Sequence, residues 1–152
     1  MTDVSPAIAG AADWTLTKNA GVGSGNQPYQ IVSTADGNSL ELPAGSVATS
    51  PPMCIDSTYP YFRLFARKLN TGKSGLKVNV MYLDNKGNLK GSTSGEVRSN
   101  ANDWALTDAF SIGVTFDPDL YNGAAPVRFQ FSAGKDTNWK IDDLYVDPYA
   151  RR

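Results

Sequence analysis

The sequence predicts an all-β fold, an antiparallel β-sandwich of jelly-roll type in a single domain, and three observations carry that prediction. Apolar and polar residues alternate at period two in run after run along the chain. Short clusters rich in Gly and Asn separate these runs, and such residues take the positive φ that tight turns require. No stretch of about 12 residues shows helical spacing, and the composition agrees: 14 glycines, few lysines, and only Glu41 and Glu96 as glutamates. About ten short strands with regular turn signals fit a sandwich or jelly roll. A chain of 152 residues with no internal repeat and no linker fits one domain, read as a flexible segment over 1–12 followed by the sandwich over 13–152.

Taken in order, Trp14–Thr17, Tyr29–Val32, Ser39–Leu42 and Met53–Asp56 read as short strands, with "DGNS" at Asp36–Ser39 as a turn. "GVGSGN" at Gly21–Asn26 reads as a flexible loop; it lacks the Lys–Ser/Thr ending of a phosphate-binding loop and no helical pattern follows it. "YFRLFARKL" alternates Phe62, Leu64 and Ala66 with Tyr61, Arg63, Phe65 and Arg67. After the turn "NTGKSG", "LKVNVMYLD" sets Leu76, Val78, Val80 and Tyr82 against Lys77, Asn79 and Met81, and "DNKGN" turns the chain again. Trp104–Thr107 and Ser111–Thr115 are further candidates, "DPDLYNG" has room for one helical turn, and "YNGAAP" reads as a turn. "VRFQF" then sends Val127, Phe129 and Phe131 to one side and Arg128 and Gln130 to the other.

The closing stretch, "TNWKIDDLYVDPYARR", poses a problem. Trp139 and Ile141 share one parity, whereas Leu144 and Val146 share the other. A β-bulge at Asp142–Asp143 returns both halves to the core and turns a carboxylate out of the ladder. Buried unpaired carboxylates are costly, so these two are expected to be solvated, hydrogen-bonded or bound to a cation.

Composition narrows function mainly by exclusion. Net charge is −1 with no histidine, which gives no reason to expect nucleic acid or an anionic membrane as partner. The lack of histidine removes the commonest general base and zinc ligand, together with every Ser–His or Cys–His dyad. The single Cys54 rules out an intrachain disulfide and reads as a small buried hydrophobe. No apolar run is long enough to span a bilayer, and "MTDVSPAIAGAADW" has neither the basic nor the long apolar region of a signal peptide. Most aspartates lie in turns, where they cap amides, so no facing pair of acids suited to glycoside hydrolysis stands out and the chain is read as non-enzymatic.

"WKIDDLYVDPYARR" after a run of short strands resembles the last strand of carbohydrate-binding-module-like jelly rolls. Together with "SLELPAGSVATSPPMC", "YFRLFARK" and "LKVNVMYLDNKGN", it is similar to a group of actinobacterial secreted proteins whose function is unassigned. The resemblance covers about Trp14 to Arg152. It implies secretion, and it implies a structural calcium site in which Asp142 supplies a carboxylate oxygen with Asp143 beside it. The family's second side-chain ligand falls in an N-terminal segment. The corresponding "AIAGAADW" offers Asp13 and no glutamate.

Two surfaces stand out for binding. Arg63, Phe65 and Arg67 share a strand face, and Arg128, Gln130, Lys77, Asn79 and Met81 would join it if their strands are neighbours. Such a face pairs aromatic rings, which stack on sugar C–H faces, with guanidinium donors. The loop aromatics Tyr59, Trp104 and Tyr121 form the second candidate. The leading expectation is an extracellular binding module for a glycan or cell-envelope polysaccharide; the alternative is a coat, filament or adhesin subunit that binds copies of itself.

Overall fold

The computed structural model describes residues 13–25, 37–56, 61–84, 86–98, 102–111 and 124–146. Twelve strands lie among them: β1 (Thr15–Thr17), β2 (Gly21–Ser24), β3 (Asn38–Leu42), β4 (Val47–Thr49), β5 (Met53–Asp56), β6 (Tyr61–Lys68), β7 (Leu76–Leu83), β8 (Leu89–Val97), β9 (Ala105–Leu106), β10 (Phe110–Ser111), β11 (Ala124–Ala133) and β12 (Trp139–Val146). They form two antiparallel sheets, as expected. Sheet A runs β1–β4–β11–β7–β8, with β5 also on β11; sheet B runs β10–β6–β12–β3–β2, with β9 also on β6.

The period-two pattern decides what fills the space between the sheets. Val127, Phe129 and Phe131 of β11 with Leu76, Val78 and Val80 of β7 are buried on one side. Phe62 and Leu64 of β6, Leu40 and Leu42 of β3, and Trp139 and Ile141 of β12 meet them from the other. Phe62 crosses the gap edge-on to Phe129, with ring centroids 4.9 Å apart, and Trp14 stacks over Phe131 at 6.1 Å.

Each sheet contains an interrupted edge that a hydroxyl repairs. Pro51 and Pro52 separate β4 from β5 along β11; at the gap Ser50 Oγ accepts the Phe129 N–H (2.9 Å) and Ser50 N–H donates to Phe129 O (2.8 Å). Between β9 and β10 along β6, Thr107 does the same, its Oγ1 accepting the Leu64 N–H (3.2 Å) and its N–H donating to Leu64 O (2.9 Å). A buried backbone donor is satisfied in each case where a regular ladder stops.

Several details differ from the sequence reading. Gly21–Ser24, read as a loop, is β2 and pairs with β3. β11 begins at Ala124, inside the expected turn "YNGAAP", and pairs with β5 there. β4 and β8 carry no alternating signal. On β8, Gly95 is required by close packing, because a Cβ there would come within 2.7 Å of the Phe110 ring beneath it. The strand candidates at Tyr29–Val32 and beyond Ser111, the helical turn at "DPDLYNG", and the segment 1–12 lie outside the described residues.

The bulge in β12 is present. Asp142 pairs with Phe65 and Tyr145 with Arg63, so three steps on β12 oppose two on β6. Trp139, Ile141 and Leu144 are consequently all buried. Asp143 carries the irregularity in its backbone, at a left-handed φ of 43°, a conformation that Asp and Asn tolerate and β-branched residues do not. We expect Asp143→Val to cost ~1–3 kcal/mol more than Asp143→Asn, the two being compared by urea unfolding. Equal losses would mean that the backbone strain is absent.

Candidate functional site

The sheets separate the residues that the sequence grouped. β6 lies in sheet B, whereas β7 and β11 lie in sheet A. Arg63, Phe65 and Arg67 therefore point away from Arg128, Gln130, Lys77, Asn79 and Met81, on the opposite outer side of the sandwich. The single shared face is corrected to two faces, because parity along a strand says nothing about which strand lies next to it.

On the sheet B side the residues hold structure. Phe65 is only 3% exposed and Trp104 9%, so neither ring is offered to a ligand. Segment 102–108 runs along the strand here. Arg63 Nη1 donates to Thr107 O (3.0 Å) and Arg67 Nε donates to Asn102 O (3.2 Å). Both guanidiniums fasten this segment to β6. Tyr59 and Tyr121 lie outside the described residues.

The outer face of sheet A is different. The register aligns Thr15, Thr49, Gln130, Asn79 and Ser94 in one row across five strands. Asn79 Nδ2 donates to Gln130 Oε1 (3.1 Å), and Gln130 Nε2 donates to Thr49 Oγ1 (3.1 Å), so each amide orients the next. An adjoining row holds Val47, Ser132, Lys77 and Glu96, and a third holds Arg128, Met81 and Ser92. Arg128 Nη1 donates to Ser50 O (3.1 Å), which ties its guanidinium to the break between β4 and β5. Of these residues, only Arg128 stands out from the sequence as a leading ligand contact; the amide row becomes visible only with the strand order.

One end of this face opens into a hollow of about 550 Å³ lined by Ser74, Gly75, Lys77, Ser94, Glu96 and Ser132, among others. That size lies within the range usual for ligand sites. Glu96 is held in place from two sides: Oε1 accepts the Gly75 N–H (3.2 Å) and Oε2 accepts from Arg98 (2.8 Å). Gly75 permits this approach, since a Cβ there would fall 2.3 Å from Glu96 Oε1.

The rim of the hollow is fixed by Asp136. The β6–β7 and β11–β12 connections both pass from one sheet to the other at this end, and Asp136 joins them. Its carboxylate accepts the N–H groups of Lys73 (2.9 Å) and Ser74 (3.1 Å) and the Ser74 hydroxyl. Asn70 and Asn138 add bonds between the same two connections. These donors, led by the Ser74 hydroxyl, hold the Asp136 pKa down from its ordinary 3.8 to about 2.

Asp142 and Asp143 are buried, at 0% and 3% exposure, and Asp142 Oδ1 accepts the Asp143 N–H (3.0 Å). Among the described residues no three His, Cys, Asp or Glu side chains gather where a metal ion would sit. Asp13, which is exposed, is thus not brought together with Asp142 and Asp143 into one set. The described residues include no helix long and apolar enough to cross a membrane.

No family profile matches the chain, and no curated protein matches its sequence. Solved structures match its fold. The enzymatically active domain of tailspike protein 4 of bacteriophage CBA120 aligns with a TM-score of 0.57 at 16% identity, over 97% of this chain and 21% of that one. An arabinoxylan arabinofuranohydrolase of glycoside hydrolase family 43 from Bacillus subtilis gives 0.53 at 16%, over 88% and 24%. A family 16 carbohydrate-binding module gives 0.52 at 12%, over 90% and 92%. This chain has the β-sandwich fold of a carbohydrate-binding module. It spans only about a fifth to a quarter of the first two proteins, and nearly the whole of the third. At these identities the likeness concerns fold, which many functions share.

Two expectations follow. Arg63→Ala should lower stability by ~1–2 kcal/mol in urea unfolding, through loss of the bond to Thr107 O; unchanged stability would show that the segment needs no such fastening. The depressed Asp136 pKa contributes stability that is fully present above pH 3.8 and lost as pH falls toward about 2. Asp136→Asn should flatten the stability–pH curve in that window, and an unaltered curve would place the acid sensitivity elsewhere.

Proposed function

We infer that this chain is a non-catalytic, extracellular carbohydrate-binding module that lays a glycan or cell-envelope polysaccharide across the outer face of sheet A. The row Thr49–Gln130–Asn79–Ser94 carries this reading. Sugar hydroxyls both donate and accept, and a row of side-chain amides and hydroxyls answers both needs. Because Asn79, Gln130 and Thr49 orient one another, little side-chain entropy remains to be lost on binding. Met81 provides an apolar surface beside Arg128, and Lys77 with Glu96 places charge at the hollow, where a sugar carboxylate or amine would be read. The fold shared with a family 16 carbohydrate-binding module supports the same reading. A structural calcium ion belongs to this proposal only at Asp142 and Asp143, two adjacent buried aspartates.

Calorimetric titration with neutral, acidic and amino-sugar oligosaccharides tests the site. Gln130→Ala and Asn79→Ala should each weaken binding roughly tenfold, as expected for loss of a ligand hydrogen bond, and lower stability by no more than the ~1–2 kcal/mol that the broken bonds of the row account for, so that both variants stay folded under the titration conditions. Arg63→Ala should leave affinity intact. Binding that survives both amide variants would sink the sheet A assignment. Repeating the unfolding scans in EDTA tests the cation: a lowered midpoint that Asp142→Asn abolishes supports it, and an unchanged midpoint removes it.

A further inference from the structure

β8 is the last strand of sheet A, and among the described residues its only ladder is the one to β7. Its length and the lack of a second neighbour among the described residues are unusual together. Nine residues run along the edge, Lys90, Ser92, Ser94 and Glu96 are exposed, and Leu89 is 59% exposed. Edge strands normally carry a device against pairing with another chain, such as a mid-strand charge, a proline or a bulge. Here the register slips only at the start, where Tyr82 and Leu83 face Gly91 and Leu89. From Gly91 to Gly95 the strand is regular and has neither charge nor proline.

The order of residues on this edge indicates what it fits. "KGSTSGE", Lys90 to Glu96, is a mirror about Thr93: Ser92 matches Ser94, Gly91 matches Gly95, and Lys90 matches Glu96 with opposite charge. In an antiparallel pair each residue lies opposite one partner, and opposed residues project to the same face. If Thr93 faces its own counterpart, the regular stretch Gly91 to Gly95 meets its mirror mates; Lys90, the extra residue at the slip and already within reach of the Asp84 carboxylate, then comes to the Glu96 end of the partner strand. Glu96 already accepts bonds from Gly75 and Arg98, and a carboxylate retains lone pairs for an ammonium besides.

We propose that two copies of this chain pair through β8, antiparallel and in register about Thr93, to form a two-fold dimer with one continuous sheet. Small side chains let the two backbones approach without hindrance, and the terminal charges set the register and exclude a slip of two residues. The dimer sets the outer faces of the two copies of sheet A flush, with Ser94 of one beside Ser92 of the other. The pairing rests on the edge alone and does not depend on the glycan reading.

Charge reversal tests both the interface and its register. Sedimentation equilibrium of the full chain over a wide concentration range should show a reversible monomer–dimer equilibrium. Lys90→Glu and Glu96→Lys should each weaken the dimer about tenfold or more, since both end pairs become repulsive. An equimolar mixture of these two variants should restore it, because every opposed pair is again Lys with Glu. Thr93→Cys in a Cys54→Ser background should cross-link to itself under mild oxidation, as a residue on the two-fold axis must, whereas Ser92→Cys in the same background should not. Circular dichroism confirms that each variant is folded. A monomer at every concentration overturns the proposal and leaves the edge to a strand from a different protein. A dimer indifferent to charge reversal overturns the register, as does cross-linking of the Ser92→Cys variant without cross-linking of the Thr93→Cys variant.

Discussion

Sheet B depends on one irregular residue. β12 lies between β6 and β3, so its inner face must fill the centre of the sandwich along its whole length. Its apolar residues change parity halfway, and a regular strand would point Leu144 at solvent while Ile141 points at the core. One extra residue at Asp143 removes the conflict. The cost is a left-handed backbone and two buried carboxylates. It is offset by burial of Trp139, Ile141 and Leu144, each contributing on the order of 2 kcal/mol of apolar transfer. Asp143 sits in the core strand because the bulge requires a residue that tolerates positive φ, and Asp142 Oδ1 accepts its N–H.

A similar repair appears at the edges. Neither long central strand has a continuous neighbour on one side: β11 takes β4 and then β5, and β6 takes β10 and then β9. A break in a ladder would leave a buried N–H without an acceptor, at a cost of about 1–3 kcal/mol. Ser50 and Thr107 each supply that acceptor from a side chain. They are also the points to which Arg128 and Arg63 reach, since Arg128 bonds Ser50 O and Arg63 bonds Thr107 O. Two arginines that the sequence suggests as ligand contacts are therefore fastened to the scaffold, one on each outer face. Only Arg128 lies beside an uncovered polar face.

One end of that face is bordered by connections that are tied together. Asp136 binds the β6–β7 crossing to the β11–β12 crossing, and Gly75 lets Glu96 close against the resulting wall. The hollow, the amide row and β8, the terminal strand among the described residues, all belong to sheet A. Sheet B is instead covered on its outer side by segment 102–108 where Phe65 and Trp104 are buried. The asymmetry leaves, among the described residues, an exposed polar outer face on sheet A and a covered one on sheet B.

The sequence by itself determined the fold class, most of the strands and the bulge. Period-two alternation is a local property: Phe62, Leu64 and Ala66 face one way whatever lies beside them, and the parity change at Asp142–Asp143 is visible within eight residues. β8 and β2, which like β4 have no apolar alternation of their own, show where local reading fails. β8 has Gly91, Thr93 and Gly95 on its inner face because Phe110 packs beneath Gly95, a contact between segments separated in the chain. β2 is held by β3 and not by apolar side chains of its own. The candidate site was legible only as separate residues. Whether Arg128 joins Arg63, or Asn79 joins Gln130, depends on which strands are neighbours, and strand order is decided by long-range pairing that leaves no local trace. The tertiary structure alone made one polar row of five strands and buried Phe65 and Trp104 where segment 102–108 covers the outer side of sheet B.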